Sequence, residues 1–303
     1  MKKLLSVTLV LVMSVAFTSC QKNGVFNPKN KISKVFQQPE NGSKALIEEW
    51  TWWNDGNTLT SVAYFINDTT VQKKAYYYYE KKQLVRIENT LDLSYVKITY
   101  NGDSQYDKIE TYDKFDRKLR SYAYTYDGKK VSKIELTAYK NPSKSMEIDD
   151  VCFLSVFIPK EILEETNAQL MNPSPLKADG DIFISYALKF DGDNMSEWKA
   201  INNNDPNKLM EMTYSYESYD KNLNPYYASY PNVDDMNAPA FCFYKNNPEK
   251  VTRSMVMNGG VPEIITFDYT YKYNDKKFPT EAICTQMKDG IKQALITTYY
   301  EYK

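Results

Sequence analysis

Any chemistry in this chain has to come from carboxylates, amines, hydroxyls and aromatic rings, because its 303 residues include no histidine. Ser-His and Cys-His dyads and His-bound zinc or iron sites are thereby excluded. Acidic pairs stand at Glu48-Glu49, Asp149-Asp150, Glu164-Glu165 and Asp234-Asp235. Adjacent strand residues point to opposite faces, so no pair makes a two-carboxylate glycosidase site by itself, and solvated charge is their expected role. A glycoside hydrolase assembled from distant carboxylates is the remotest functional reading. Asp191-Gly192-Asp193-Asn194 opens like a calcium loop, but Met195 stands where an oxygen donor is required, so a hairpin turn is expected instead. Ser-x-x-Lys occurs at Ser94–Lys97 and Ser196–Lys199. On a strand this spacing sets the two side chains on opposite faces, and the companion Lys-Thr-Gly is missing. No catalytic residue, metal site or cofactor is expected.

The aromatic clusters are the better candidates. Trp50, Trp52 and Trp53, and the run Tyr76 to Tyr79, place rings on both faces of their strands. Exposed rings flanked by Asp, Asn and Lys suit carbohydrate, whose C–H faces stack on aromatic surfaces while hydroxyls find polar partners. The candidate ligand-binding residues are Trp50, Trp52, Trp53, Tyr77 and Tyr79. The competing reading is structural: cross-strand aromatic ladders, each pair contributing about 0.2–1 kcal/mol.

One modification site is expected at Cys20. Lys2 and Lys3 precede an apolar run from Leu4 to Phe17, too short to span a bilayer, and then Thr18-Ser19-Cys20. Phe17-Thr18-Ser19-Cys20 resembles a bacterial lipobox, with Phe in place of the usual Leu. The resemblance implies a signal peptide over residues 1–19, cleavage before Cys20, and acylation of its sulfur and new amino group. Several acyl chains would hold the mature chain firmly at a membrane. Residues 20–30 are polar, with Gly24 and Pro28, and read as a flexible tether to a single domain over 31–303.

Without Lys2 and Lys3 the chain carries 36 basic against 39 acidic residues, a net charge of −3, which argues against nucleic acid as a partner. Cys152, Cys242 and Cys284 lie in apolar, strand-like runs. Their odd number cannot complete a disulfide framework, so buried thiols are expected, with one bridge left open.

The elements that would position these residues follow from a repeat. An aromatic, any residue, a second aromatic and then Asp, Asn or Glu precede a polar turn and an apolar pair three residues apart. Tyr77–Glu80 leads to Leu84 and Ile87, Tyr124–Gly128 to Val131 and Ile134, and Leu188–Gly192 to Met195 and Trp198. Trp53–Gly56 leads to Leu59 and Val62, and Tyr271–Asp275 to Phe278. Each copy fits a β-hairpin in which Asp-Gly or Asn-Asp supplies a positive φ. In Lys133–Ala138 apolar and polar residues alternate, which puts one face on a core and the other in water. Lys108, Glu110, Lys133 and Glu135 would occupy the lipid-facing band of a membrane-spanning barrel, where a basic residue costs about 2–4 kcal/mol at the midplane. The fold class is therefore all-β: an antiparallel meander of hairpins forming a large curved sheet or a soluble barrel. Ile162, Leu163, Thr166 and Leu170 share a helical face, and Pro159 and Asn172-Pro173 suit its ends, so one short amphipathic helix is expected over about 159–171.

The lipobox, the Tyr-x-Tyr-Asp hairpins, Leu223-Asn224-Pro225-Tyr226, Lys245-Asn246-Asn247-Pro248 and the Tyr-rich ending resemble one group. It is a family of Bacteroidetes envelope lipoproteins of unknown function with a porin-like, meandering β fold. The resemblance implies that fold and an outer-membrane location, on either leaflet, and brings no catalytic residues. The expected function is a lipid-anchored, non-enzymatic module binding glycan or peptide. The alternative is a structural or assembly lipoprotein that contacts another envelope protein.

Overall fold

The computed structural model describes residues 23–56, 58–67, 69–139, 182–203, 210–230, 242–257 and 259–303. They form sixteen strands. The first eight are β1 (Ile32–Pro39), β2 (Ala45–Trp52), β3 (Leu59–Asn67), β4 (Thr70–Glu80), β5 (Gln83–Asn89), β6 (Tyr95–Tyr100), β7 (Tyr106–Tyr112) and β8 (Lys118–Asp127). The rest are β9 (Lys130–Ala138), β10 (Ile182–Asp191), β11 (Asn194–Asn202), β12 (Met210–Leu223), β13 (Asn246–Met257), β14 (Glu263–Tyr273), β15 (Pro279–Lys288) and β16 (Ile291–Tyr302). Each pairs antiparallel with its neighbour in sequence, and β1 pairs with β16, from Ile32 opposite Tyr302 to Pro39 opposite Ile296. The meander is thus a closed barrel with no sheet edge. The helix expected over 159–171 falls outside the described residues.

One end of the barrel holds the start of β1, the end of β16 and the turns that follow even-numbered strands; we call it the terminal end. Here every odd-numbered strand carries the same irregularity. One residue near its start is skipped in the pairing: Ser33, Thr60, Val85, Asp107, Ser132, Ser196, Glu249 and Thr280. Such a bulge lets residues three apart share a face. It accounts for the apolar spacing of the repeat, since Leu59 and Val62, Val131 and Ile134, and Met195 and Trp198 all point inward and are buried.

At six of the eight bulges the carbonyl of the preceding residue accepts from an aromatic side chain on the following strand. Trp52 Nε1 donates to Ile32 O, and the hydroxyls of Tyr79, Tyr100, Tyr219, Tyr271 and Tyr302 donate to the carbonyls of Leu59, Leu84, Met195, Pro248 and Pro279, at 2.5–2.8 Å. The tyrosines of the repeat therefore form a hydrogen-bonded girdle as well as a core. Their phase corrects one expectation. In the first copy Trp52, not Trp53, pairs with the residue before the bulge, and Trp53 enters the turn. The turn chemistry also differs in part. Gly56, Gly128 and Gly192 do adopt positive φ, but in the Asn274 turn Lys277 does so, while Asn274 Oδ1 accepts from the backbone N–H groups of Lys276 and Phe278.

Inward side chains fill the barrel, with Trp198, Tyr186, Phe267, Ile109, Ile134 and Leu136 under 2% exposed. The outer wall is ionic: Lys34–Glu49, Lys118–Glu110, Lys189–Glu197, Lys199–Glu211, Lys250–Glu217 and Lys272–Glu281 bridge neighbouring strands around the circumference. A lipid-facing band would need apolar residues there.

Two segments close the terminal end. The β12–β13 connection brings Tyr226, Tyr230 and Tyr244 into the core, held by Asn224, which receives the Tyr226 N–H and donates to Tyr244 O. Asn247 donates to the Asp220 carboxylate, which also receives the Tyr273 hydroxyl. The second segment is residues 23–31. Within the stretch expected to be a flexible tether, Phe26 is buried against Trp50, Trp52 and Tyr230, so from Asn23 onward the chain is packed against the barrel. The aromatic content of the barrel mouth gives Phe26 a site that the polar composition of the stretch did not announce.

Candidate functional site

The five candidate aromatics do not form one exposed face. Trp50 and Trp52 lie inside the barrel at 7% and 6% exposure, and Tyr77 and Tyr79 also face inward, Tyr77 packing on Tyr230 and Tyr79 bonding to its hydroxyl at 2.6 Å. Trp53 stands apart on the β2–β3 turn, 57% exposed. Four of the five thus belong to the core, the structural reading of the aromatic clusters.

The rings that do face solvent are the alternate members of the same run, Tyr76 and Tyr78, 38% and 45% exposed. Alternation along β4 puts them outward because Tyr77 and Tyr79 are fixed inward by the girdle. They open a belt across the outer wall of β4 to β8. The Tyr78 hydroxyl donates to Glu88 (2.9 Å), and Arg86 Nε donates to the other oxygen of the same carboxylate (2.7 Å). The Arg86 guanidinium lies 3.8 Å from the centre of the Tyr95 ring, which stacks on Tyr112 at 5.1 Å. Lys97 sits over Tyr112 and Lys74 over Tyr76. The Arg86 hydrogen bond holds the Glu88 carboxyl below its ordinary range, and the Glu88 hydrogen bond in turn raises the Tyr78 phenol. Burial and the Asp116 carboxylate push the Tyr95 phenol to about 12. The belt therefore offers two open rings, Tyr76 and Tyr78, beside the Glu88 carboxylate and the Arg86 guanidinium that is bonded to it. The sequence did hold a clue to it. The repeat fixes Tyr79 and Tyr77 as its own aromatics, which leaves Tyr76 and Tyr78 as additions in the opposite phase.

The second unusual group is Glu48, which faces inward and is wholly buried, whereas Glu49 points out to Lys34. Trp50 Nε1 donates to Glu48 Oε2 at 2.7 Å, the Tyr226 hydroxyl lies at 3.5 Å, and Oε1 has no partner. Burial pushes this carboxyl up to about 7, against those two hydrogen bonds. A raised carboxyl among aromatic rings suits a general acid, but a two-carboxylate mechanism needs a second acid beside it, and the groups acting on Glu48 are Trp50 and Tyr226.

The remaining candidates have structural places. Asp191–Asn194 is the turn from β10 to β11, with Asp193 bridged to Lys245. Ser94 bonds Asn89, Ser196 is a bulge residue, and Lys199 pairs with Glu211. Cys242 and Cys284 are buried thiols, and burial raises both, Cys284 to about 12. Cys20, Cys152 and the acidic pairs at 149–150, 164–165 and 234–235 lie outside the described residues.

Comparison with known proteins adds the fold. No family model matches, and no curated protein matches. Among solved structures, the chain is similar to a porin-like protein from Bacteroides uniformis, with 12% identity, 92% of this chain and 100% of that one covered, and a TM-score of 0.52. A porin-like protein from Bacteroides vulgatus gives 12% identity, 91% and 99% coverage and a TM-score of 0.51. At that identity the likeness extends to the barrel architecture.

Proposed function

We propose that this chain is a non-enzymatic lipoprotein of the outer membrane, anchored through acylated Cys20, whose barrel binds glycan on its outer wall at Tyr76 and Tyr78. The observation that carries the binding site is the pair of open rings two residues apart on β4, flanked by Arg86 and Glu88. Rings of this kind stack on sugar faces while the ion pair meets hydroxyls. The ionic wall and filled interior are suited to a protein seated at a membrane rather than a pore through it. The test is a glycan array with residues 21–303, followed by titration of the best ligand. Tyr78→Ala should weaken binding about tenfold, equivalent to ~1.4 kcal/mol, with an unchanged melting curve. Full retention of binding in a Tyr76→Ala/Tyr78→Ala double variant would remove the site. Mass spectrometry of membrane-extracted protein should find the chain beginning at a multiply acylated Cys20, and a free N-terminus there would remove the anchor.

The alternative, a lipoprotein docking another envelope protein, is favoured by the far end of the barrel. Its turns carry exposed Leu91, Leu93, Phe115, Val261 and Ile291, 57–92% exposed. Cross-linking from position 115 in cells should trap a single partner if that reading holds, and only scattered products if it does not.

A further inference from the structure

We propose that residues 23–31 are a docked post that sets the terminal end of the barrel against the lipid headgroups and points the far end away; this rests on acylation of Cys20. The segment is tied down at Asn23, Gly24 and Phe26. Gly24 N–H donates to the Tyr106 hydroxyl at 2.9 Å, and Gly24 O accepts from Leu84 N–H at 2.9 Å, extending the pairing of β5. The Asn23 side-chain amide donates to the Tyr126 hydroxyl, and Gln83 Nε2 donates to Asn23 O. Phe26 fills the box of Trp50, Trp52 and Tyr230. Gly24 has φ +74°, and a Cβ there would land on the Tyr100 phenol, so only glycine fits.

The consequence is a short leash. From Cys20 to the first docked residue, Asn23, there is roughly 10 Å of backbone. The far end stands a further ~25–30 Å away along tilted strands of this length. A barrel so held cannot present both ends to the bilayer. The surface next to the post fits headgroups of mixed charge. Its turns expose the lysine pairs 81–82, 129–130 and 276–277, interspersed with Asp103, Asp127 and Asp275, together with the open indole of Trp53. Trp is favoured at such an interface.

The experiment uses the acylated full chain in vesicles of phosphatidylethanolamine and phosphatidylglycerol (3:1) doped with headgroup-nitroxide lipid. A fluorescent amino acid is incorporated singly at position 82 or 277 on the terminal end, or at 43 or 114 on the far end. Quenching should be at least threefold stronger at 82 and 277. Gly24→Val should reduce that ratio to near one, and Phe26→Ala, a milder change, should lower it in the same direction. Equal quenching at both ends of the unaltered protein, or stronger quenching at 43 and 114, overturns the proposal. If cells yield no acylated chain, the anchor reading fails by itself. Residues 20–303 with Cys152→Ser, coupled through Cys20 to a maleimide lipid, then test the post with the same ratio.

Discussion

Tyr78 and Tyr79 are neighbours in the chain on opposite sides of the wall. Tyr79 gives its hydroxyl to Leu59 O, and Tyr78 gives its to Glu88 at the surface. Removing the inner hydroxyl leaves a half-buried carbonyl without its donor. Tyr79→Phe, or Tyr302→Phe at the closing seam, should therefore lower stability by about 1–2 kcal/mol in urea unfolding, whereas Tyr78→Phe should change it by less than about 0.5 kcal/mol. Glu48 gives the opposite kind of test. Its folded carboxyl titrates near 7 instead of the ordinary 4.5. The folded state therefore holds a proton that the unfolded chain has released, and stability falls as pH rises from about 4.5 through 7. Glu48→Gln should abolish that fall and exceed the unaltered protein by about 3 kcal/mol at pH 8, read from urea midpoints at pH 5 and 8. Identical pH slopes would show that Glu48 is ionised at no cost. At this scale the sequence revealed residue types but not their phase. That rings would lie on both faces was legible in Tyr76–Tyr79; which ones faced out depended on counting from the repeat, and Trp53 shows that the count can slip by one.

The bulged hairpin is the unit from which the barrel is built, and its trace in the sequence is the apolar pair three residues apart. In an unbroken strand that spacing would send Val131 and Ile134 to opposite faces; the skipped Ser132 brings both inside. The alternation in β9 and the Asp-Gly turns were legible because they are local. The bulge was not, since it exists only in the pairing with the neighbouring strand. Deleting Ser132 should expel Val131 from the core and cost about 2–3 kcal/mol, while Ser132→Ala should stay within about 0.5 kcal/mol. Comparable losses in the two variants would mean that the extra residue is incidental. Residues 23–31 show the reverse problem: a polar composition suggested a loose linker, and the docking of Phe26 depends on three aromatic residues drawn from β2 and the β12–β13 connection.

For the whole molecule, alternation predicted a buried face and a wet face, and the ionic wall and filled interior follow that division. Whether the sheet would close could not be read, because closure is a contact between the two most distant strands. A wall of this kind should need no detergent. Residues 21–303 are expected to purify from buffer as a monodisperse, β-rich protein by circular dichroism and light scattering; recovery only within micelles would contradict the outward placement of the charges. The pairing of Ile32 with Tyr302 also constrains how the molecule comes into being. A chain made from its N-terminus delivers β1 first and its partner last, so the growing ribbon has both margins bare. Until the final tyrosines arrive nothing shields them, and a nascent copy stalled a few residues short would be left as an unzipped sheet, ready to pair with whatever strand it meets.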